Sequence, residues 1–402
     1  MSDGHGPSPE TPPGWATEQP PPYGAPSASP WTAPGSHQQQ IPYSPQQPPP
    51  PGYGYGYGPH PPALRPGIIP LRPLGLGDIL DGTIKLVRSN PKAVLGLSAI
   101  AAVLAAVPVA VGQALLVGRM GEALTNPDYL PDDPTAAYGG ALAQYGGTLV
   151  SYAVSFVVVT ILTGVLTRIL GRAVFGGSIT AAEAWRLTKG RIPALFGVVG
   201  LMAVIMLVPL AVIALVFVAL IMSGAGSGSG QAGALLGLGL VFMLLYIGYA
   251  LYFRTRFALA APVVVLEGRG PLDAMRRSWN LVTGDFWRVF GILLLTSLLV
   301  GLVATILQVP FTFMGTLFGM LGGGTALSAV LAAVLIAIGG TLGAMITYPF
   351  EAGVSGLLYA DRRMRSEAFD LVLQTAAIEQ QQQGWVHASA DDLWHPSNSA
   401  RS

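Results

Sequence analysis

Six stretches of this chain, residues 93–117, 148–167, 194–222, 233–253, 289–309 and 326–350, contain no charged side chain. Each supplies the roughly 20 apolar residues that a helix needs to cross a hydrocarbon core about 30 Å thick. Charged residues make up 10% of the sequence, where a soluble domain carries about a quarter. That is too little charge to clothe a water-facing surface. The expected fold is therefore all-α: a polytopic membrane bundle of six transmembrane helices. Pro108 and Pro209 fall mid-span, where a helix accepts a kink if its neighbours satisfy the freed carbonyl. Small residues recur, as in LLGLGL and IAIGGTLGA, and suit close backbone packing inside a bilayer.

The direction of the spans follows from the basic residues. All but one of the 21 Lys and Arg residues fall before span one, after spans two and four, or after span six. Arg119 is the exception, and the loops after spans three and five, SGAGSGSGQ and GTLFGMLGGGT, carry no charge. Basic residues concentrate on the cytoplasmic side of short membrane loops. The alternation predicts an even number of spans in the plasma membrane, with both termini cytoplasmic. The formal net charge of +1 gives no reason to expect a nucleic-acid partner.

A short amphipathic stretch precedes each odd-numbered span. In LGLGDILDGTIKLVRSN, Leu76, Ile79, Leu80, Thr83, Ile84 and Val87 share a helical face, and Asp81 and Lys85 have the i,i+4 spacing of a helix ion pair. In SITAAEAWRLTKGR, Thr180 and Glu183 have capping-box spacing. In RGPLDAMRRSWNLVTGD, Pro271 fits the first helical position. Each stretch passes through a turn into an apolar-Gly step, Leu95-Gly96, Phe196-Gly197 or Phe290-Gly291, spaced roughly a hundred residues apart. The pattern reads as three hairpins, each preceded by an interfacial helix, with Trp185 and Trp279 as anchors at the lipid headgroups. The alternative is that these stretches are the polar ends of long spanning helices.

Residues 1–67 are rich in Pro, Gly, Gln and Tyr and read as a disordered cytoplasmic tail, a docking segment for a proline-reading partner or simply a solvated leader. Residues 68–375 form the membrane domain and 376–402 a polar C-terminal tail. No cleavable signal sequence is apparent.

Catalytic chemistry has few residues to work with. There is no cysteine, and His5, His37, His60, His387 and His395 all fall in the two tails. No phosphate loop, HExxH or GxSxG motif occurs, and no cofactor or metal is implied. The acidic loop with Asp128, Asp132 and Asp133 lacks EF-hand spacing. An enzyme would require Asp78, Asp81, Glu183 and Asp273 to converge on one cation-holding pocket. One ionisable group, Glu351, adjoins the end of a span. An acid at that depth is costly unless paired. Arg168, at the same end of span two, is the candidate for an intramembrane ion pair, with Arg254 and Arg256 as other choices. The pair is either structural or a transport-coupling group.

Three stretches, LRPLGLGDILDGTIKLVRSNPKAVLG, RFALAAPVVVLEGRGPLDAMRRSWNLVTGDFWRVFGILLL and YPFEAGVSGLLYADRRMRSEAFDL, resemble a family of actinobacterial integral membrane proteins. That family is described as carrying the membrane domain of glycerophosphoryl diester phosphodiesterase, otherwise a domain of unknown function. The resemblance spans roughly residues 70–375. It implies a membrane fold. The phosphodiesterase of the family name works in a separate soluble barrel of about 250 residues, for which this chain has no room, so no catalytic residue carries over. The expected role is non-enzymatic, in organising the membrane or envelope; the alternative is a small-solute or lipid transporter built on three hairpin repeats.

The absence of cysteine makes the topology directly testable. Ser227→Cys is expected to react with a membrane-impermeant thiol reagent on intact cells, and Ser178→Cys only after lysis; the opposite pattern would invert the orientation.

Overall fold

The computed structural model describes residues 67–125, 134–223, 229–322, 325–383, 392–395 and 397. The proline-rich segment 1–66, the loop bearing Asp128, Asp132 and Asp133, and Ser227 lie outside the described residues. Among those described there is no strand.

The chain runs through α1 (Leu76–Ser89), α2 (Pro91–Thr125), α3 (Pro134–Ala173), α4 (Ala181–Thr188), α5 (Ile192–Met222) and α6 (Ser229–Phe257). It continues through a short α7 (Ala260–Pro262) and a π-helical turn (Val263–Glu267) into α8 (Pro271–Thr283), α9 (Phe286–Leu321), α10 (Ala326–Glu367) and α11 (Phe369–Gln383). Six of these helices are long and apolar enough to cross a membrane, so the protein is a multi-pass membrane protein. The amphipathic stretches form α1, α4 and α8; Asn90 separates α1 and Gly284 and Asp285 separate α8 from the spans that follow, whereas α4 runs through a 3-10 turn, Lys189–Arg191, directly into α5. Local chemistry sets their limits. Thr180 Oγ1 accepts from the Glu183 amide (3.2 Å) and caps α4, Pro271 opens α8, and Asp81 pairs with Lys85 at 2.6 Å along α1.

Helix α10 is the centre of the bundle, packed on α9, α2, α3 and α1. Ser328, Ala332, Ile336, Gly339 and Gly343 form its buried stripe. A Cβ on Gly339 would lie 3.0 Å from the Gln308 carbonyl oxygen, and one on Gly315 of α9 would lie 3.0 Å from that of Ala332. The α9–α10 contact is therefore nearly backbone on backbone, as small-residue packing in lipid requires. Helices α5 and α6 differ. The most apolar windows of their spans have no buried residue, and Leu207, Leu215, Leu236 and Leu245 are exposed.

With 42 residues, α10 is about 63 Å long, twice what the hydrocarbon core needs. Its last turns carry a layer of buried charge at the end of the bundle where the basic residues gather. Asp361, fully buried, accepts from the Leu74 amide (2.8 Å), Arg288 of α9 (2.5 Å) and Arg365 (2.9 Å). Arg288 also donates to the Leu74 carbonyl (2.6 Å), so Asp361 binds the segment before α1 to α9 and α10. Glu267, at the end of the π-helical turn, accepts from Tyr359 (2.7 Å), Arg269 (2.6 Å) and Arg277 (3.1 Å). Burial opposes the Arg277 charge, but Glu267 and Glu367 outweigh it and hold the guanidinium pKa above its ordinary value. Arg362 pairs with Asp285 and donates to the Leu281 carbonyl (2.8 Å), tying down the α8–α9 turn.

The C-terminal segment contributes to this end as well. Helix α11 runs through position 375, where the sequence places the end of the membrane domain, and Phe369, Leu373 and Ala377 are buried in the core. Trp394 is fully buried against Phe175, Tyr359 and Phe369. Its carbonyl accepts from Arg363 (3.0 Å). Ahead of α1, Ile68, Ile69, Leu71 and Leu74 are buried too.

Removing one partner of a buried ion pair costs about 3–5 kcal/mol, whereas an exposed pair contributes about 1 kcal/mol or less. Asp361→Asn is expected to destabilise the detergent-solubilised protein severely and Asp81→Asn hardly at all. Thermal unfolding of the two variants, read side by side, checks this; equal midpoints would show that the buried layer does not hold the fold.

Candidate functional site

Between α6 and α8 the helix breaks at Ala258 and Leu259. Such a break close to a bilayer must be satisfied by other groups. Two serines do this. Ser278 Oγ donates to the Arg256 carbonyl (2.8 Å) and accepts from the Leu259 amide (3.2 Å), and Ser355 Oγ of α10 donates to the Ala258 carbonyl (2.7 Å). Gly268 ends the π-helical turn with φ +72°, in the left-handed region that glycine adopts freely. Its carbonyl accepts from Arg191 (2.8 Å), and a Cβ there would meet that guanidinium at 2.6 Å.

Beside the break lies a cleft of about 210 Å³. Arg254 and Glu351 line it, together with Thr163, Thr296, Ser297 and Ser355, over an apolar floor that includes Ala261, Leu293, Val300 and Val354. Arg254 Nη2 stands 3.5 Å from Glu351 Oε1, with the two side chains 62% and 50% exposed. Each follows directly on an uncharged run, 233–253 for Arg254 and 326–350 for Glu351, so the pair meets at one depth, where the spans end. Thr296 and Val300 lie ten and fourteen residues into α9, and so further along the span. The cleft thus has an ionic mouth and a largely apolar interior. Most of its hydroxyls are spent on backbone carbonyls: Ser297 on Leu294 (2.9 Å), Thr163 on Val159 (2.8 Å). Thr296 Oγ1 is different. The residue is 4% exposed and this hydroxyl has no hydrogen-bond partner. A buried orphan hydroxyl costs about 1–3 kcal/mol unless a water or ligand takes it up.

The partner of Glu351 is therefore Arg254, not the Arg168 expected from the sequence. Both Arg168 and Thr163 are on α3, and Thr163 is the residue that faces the cleft. Arg168 is five residues on, which turns it about 140° away and carries it about 7.5 Å along the helix. It is buried elsewhere in the bundle. Trp185 is half exposed at the rim of an apolar groove between α2 and α3. Trp279 packs with Tyr252, Phe253 and Phe257, and the Arg256 guanidinium lies 4.5 Å over its ring.

The four acids that an enzyme reading required go separate ways. Asp78 accepts from the Gly75 amide, Asp81 pairs with Lys85, Glu183 stands 4.0 Å from Arg172, and Asp273 is exposed on α8. No group of three metal-ligating side chains occurs among the described residues. The helix break and the free Thr296 hydroxyl were not read from the sequence. The signal for the break was the Pro262 and apolar run of AAPVVVLE following Arg256; for Thr296 there was none.

No curated protein and no solved structure is significantly similar to the chain. Residues 234–351, which run from α6 through the interrupted helix to Glu351, match the family described as the membrane domain of glycerophosphoryl diester phosphodiesterase, the family that the sequence resembles.

Proposed function

We propose that this protein is a non-enzymatic plasma-membrane protein that binds an amphipathic molecule of lipid class in the Arg254–Glu351 cleft and passes it along or across the inner leaflet. The observation behind this is the cleft's polarity gradient, from an exposed ion pair at the mouth to an apolar interior that holds one unpaired hydroxyl. A headgroup fits the mouth and an alkyl chain the interior. An interrupted helix beside an intramembrane cleft is the arrangement that transporters use to present backbone groups to a ligand. The family match points to the same chemistry, since a glycerophosphoryl diester is the polar part of a phospholipid. In this reading the basic end of the bundle faces the cytoplasm, α1, α4 and α8 lie at the headgroup layer, and the proline-rich segment offers a docking tail.

A second reading, a protein that organises the membrane by contact with other spans, is favoured by the α5–α6 hairpin. Half of its described positions are exposed, which suits a partner helix as well as lipid.

The test is the lipid that copurifies with the protein in polymer-bounded native discs, counted by mass spectrometry, together with lipid transfer in proteoliposomes. A hydrogen bond to a charged group contributes about 1.5–3 kcal/mol. Arg254→Ala and Glu351→Gln are therefore expected to lower both readouts about tenfold or more. Thr296→Val is expected to lower occupancy without lowering the unfolding temperature, because the hydroxyl supports no protein contact. Wild-type occupancy and transfer in all three variants would end the cleft reading and leave the second one.

A further inference from the structure

A second cavity, of about 490 Å³, lies between α5 and α8 and shares no lining residue with the cleft. One side is a face of α8 made by Leu272, Met275, Arg276, Trp279 and Asn280; the other is Leu201 and Ile205 of α5, closed by Phe257 of α6. The spacing explains the arrangement. Ala274, Ser278, Leu281 and Val282 turn into the protein core, so the adjoining face of this amphipathic helix overhangs the groove. The packing of Gly197 against Pro271, where a Cβ would come within 2.9 Å of the ring, brings α5 and α8 together at one end of it. From that contact the groove runs on to Ile205 and Asn280.

The groove is polar along one edge only. Arg276 and Asn280, one turn apart and both exposed, form that edge. Most guanidinium groups at this end of the molecule are committed: Arg277 to Glu267 and Glu367, Arg288 and Arg365 to Asp361, Arg362 to Asp285. Arg276 is not. No carboxylate among the described residues stands within ion-pair distance of it, and Asp273, one turn earlier on α8, does not reach it. The Arg256 guanidinium stacked on Trp279 adds a second positive charge behind the groove wall. An exposed cation and an amide donor over a slot of Leu, Ile, Phe and Trp match an anionic headgroup with its acyl chain. Leu201 and Ile205 lie nine and thirteen residues into α5, the depth at which a chain continues from a headgroup held on α8.

We infer that the α5–α8 groove is a binding site for an anionic phospholipid of the surrounding bilayer, with its phosphate on Arg276 and Asn280 and a chain along Leu201 and Ile205. The net charge of the headgroup decides the occupant, because a zwitterionic lipid brings a cation towards Arg276. The site stands independently of the Arg254–Glu351 cleft.

The experiment titrates the full-length protein with phosphatidylglycerol in nanodiscs of phosphatidylcholine and reads bound lipid by native mass spectrometry. A basic residue near the membrane surface is worth about a fivefold change in anionic-lipid affinity, so Arg276→Ala is expected to weaken phosphatidylglycerol binding about fivefold. Ile205→Trp, which fills the chain slot, is expected to abolish the same bound lipid. Arg88→Ala, an exposed cation on α1, is expected to change nothing. If Ile205→Trp does not fold, Arg276→Ala still decides, since its side chain is exposed. Four results would overturn the inference: unchanged affinity in Arg276→Ala, equal binding of phosphatidylcholine, displacement of the lipid by inorganic phosphate, or burial of the groove by a second copy of the chain. Loss of cleft occupancy in Arg254→Ala with groove binding intact would separate the two sites.

Discussion

Two buried carboxylates, Asp361 and Glu267, hold together the end of the bundle on which every other feature is built. Each sits where several elements meet: Asp361 at the junction of the segment before α1 with α9 and α10, Glu267 at the junction of the π-helical turn, α8 and α10. A carboxylate taken out of water loses hydration that only several strong donors can replace. Three donors converge on each. Because α10 is about twice as long as the hydrocarbon core is thick, this layer lies beyond the apolar runs, where arginines remain soluble in both the folded and the inserted chain. The bilayer supplies little net drive for helices to associate with one another. The ionic layer and the α9–α10 small-residue contact provide that drive instead.

This anchorage is what permits a broken helix beside the membrane. The segment Leu259–Glu267 ends on Glu267 and begins at the two serines that take up its freed backbone groups. With both ends fixed, the break leaves a gap on the α10 side without exposing unsatisfied backbone to lipid. The gap is the cleft. Its ionic mouth follows from the same geometry, since Arg254 and Glu351 each come immediately after the last apolar residue of a span. Two charges placed by the bilayer boundary on facing helices are brought to a common depth.

The spans and the three amphipathic helices were legible because they rest on local rules. Twenty apolar residues make a span in any context, and α1, α4 and α8 announce themselves by facial pattern and by caps such as Thr180 and Pro271. The ionic layer was not legible. Nothing local marks Asp361, Arg363 and Glu367 as buried; that depends on α11, Trp394 and the segment 68–74 folding over them. Trp394 was hidden for the same reason, being one of two tryptophans in a polar stretch. The acid of the candidate site could be found from its depth alone. Its partner could not, because depth admits Arg168, Arg254 and Arg256 equally and only helix rotation chooses between them.

Helix rotation also explains why the acids of the three amphipathic helices stay apart. The acids Asp78, Asp81, Glu183 and Asp273 lie on amphipathic helices whose buried faces are made of aliphatic, glycine and hydroxyl side chains, so each acid is turned towards solvent or a local partner. The same constraint leaves the opposite faces free to meet headgroups, and on α8 that free face overhangs the apolar wall of α5. The architecture that keeps these four acids apart therefore also leaves an amphipathic groove between α8 and α5.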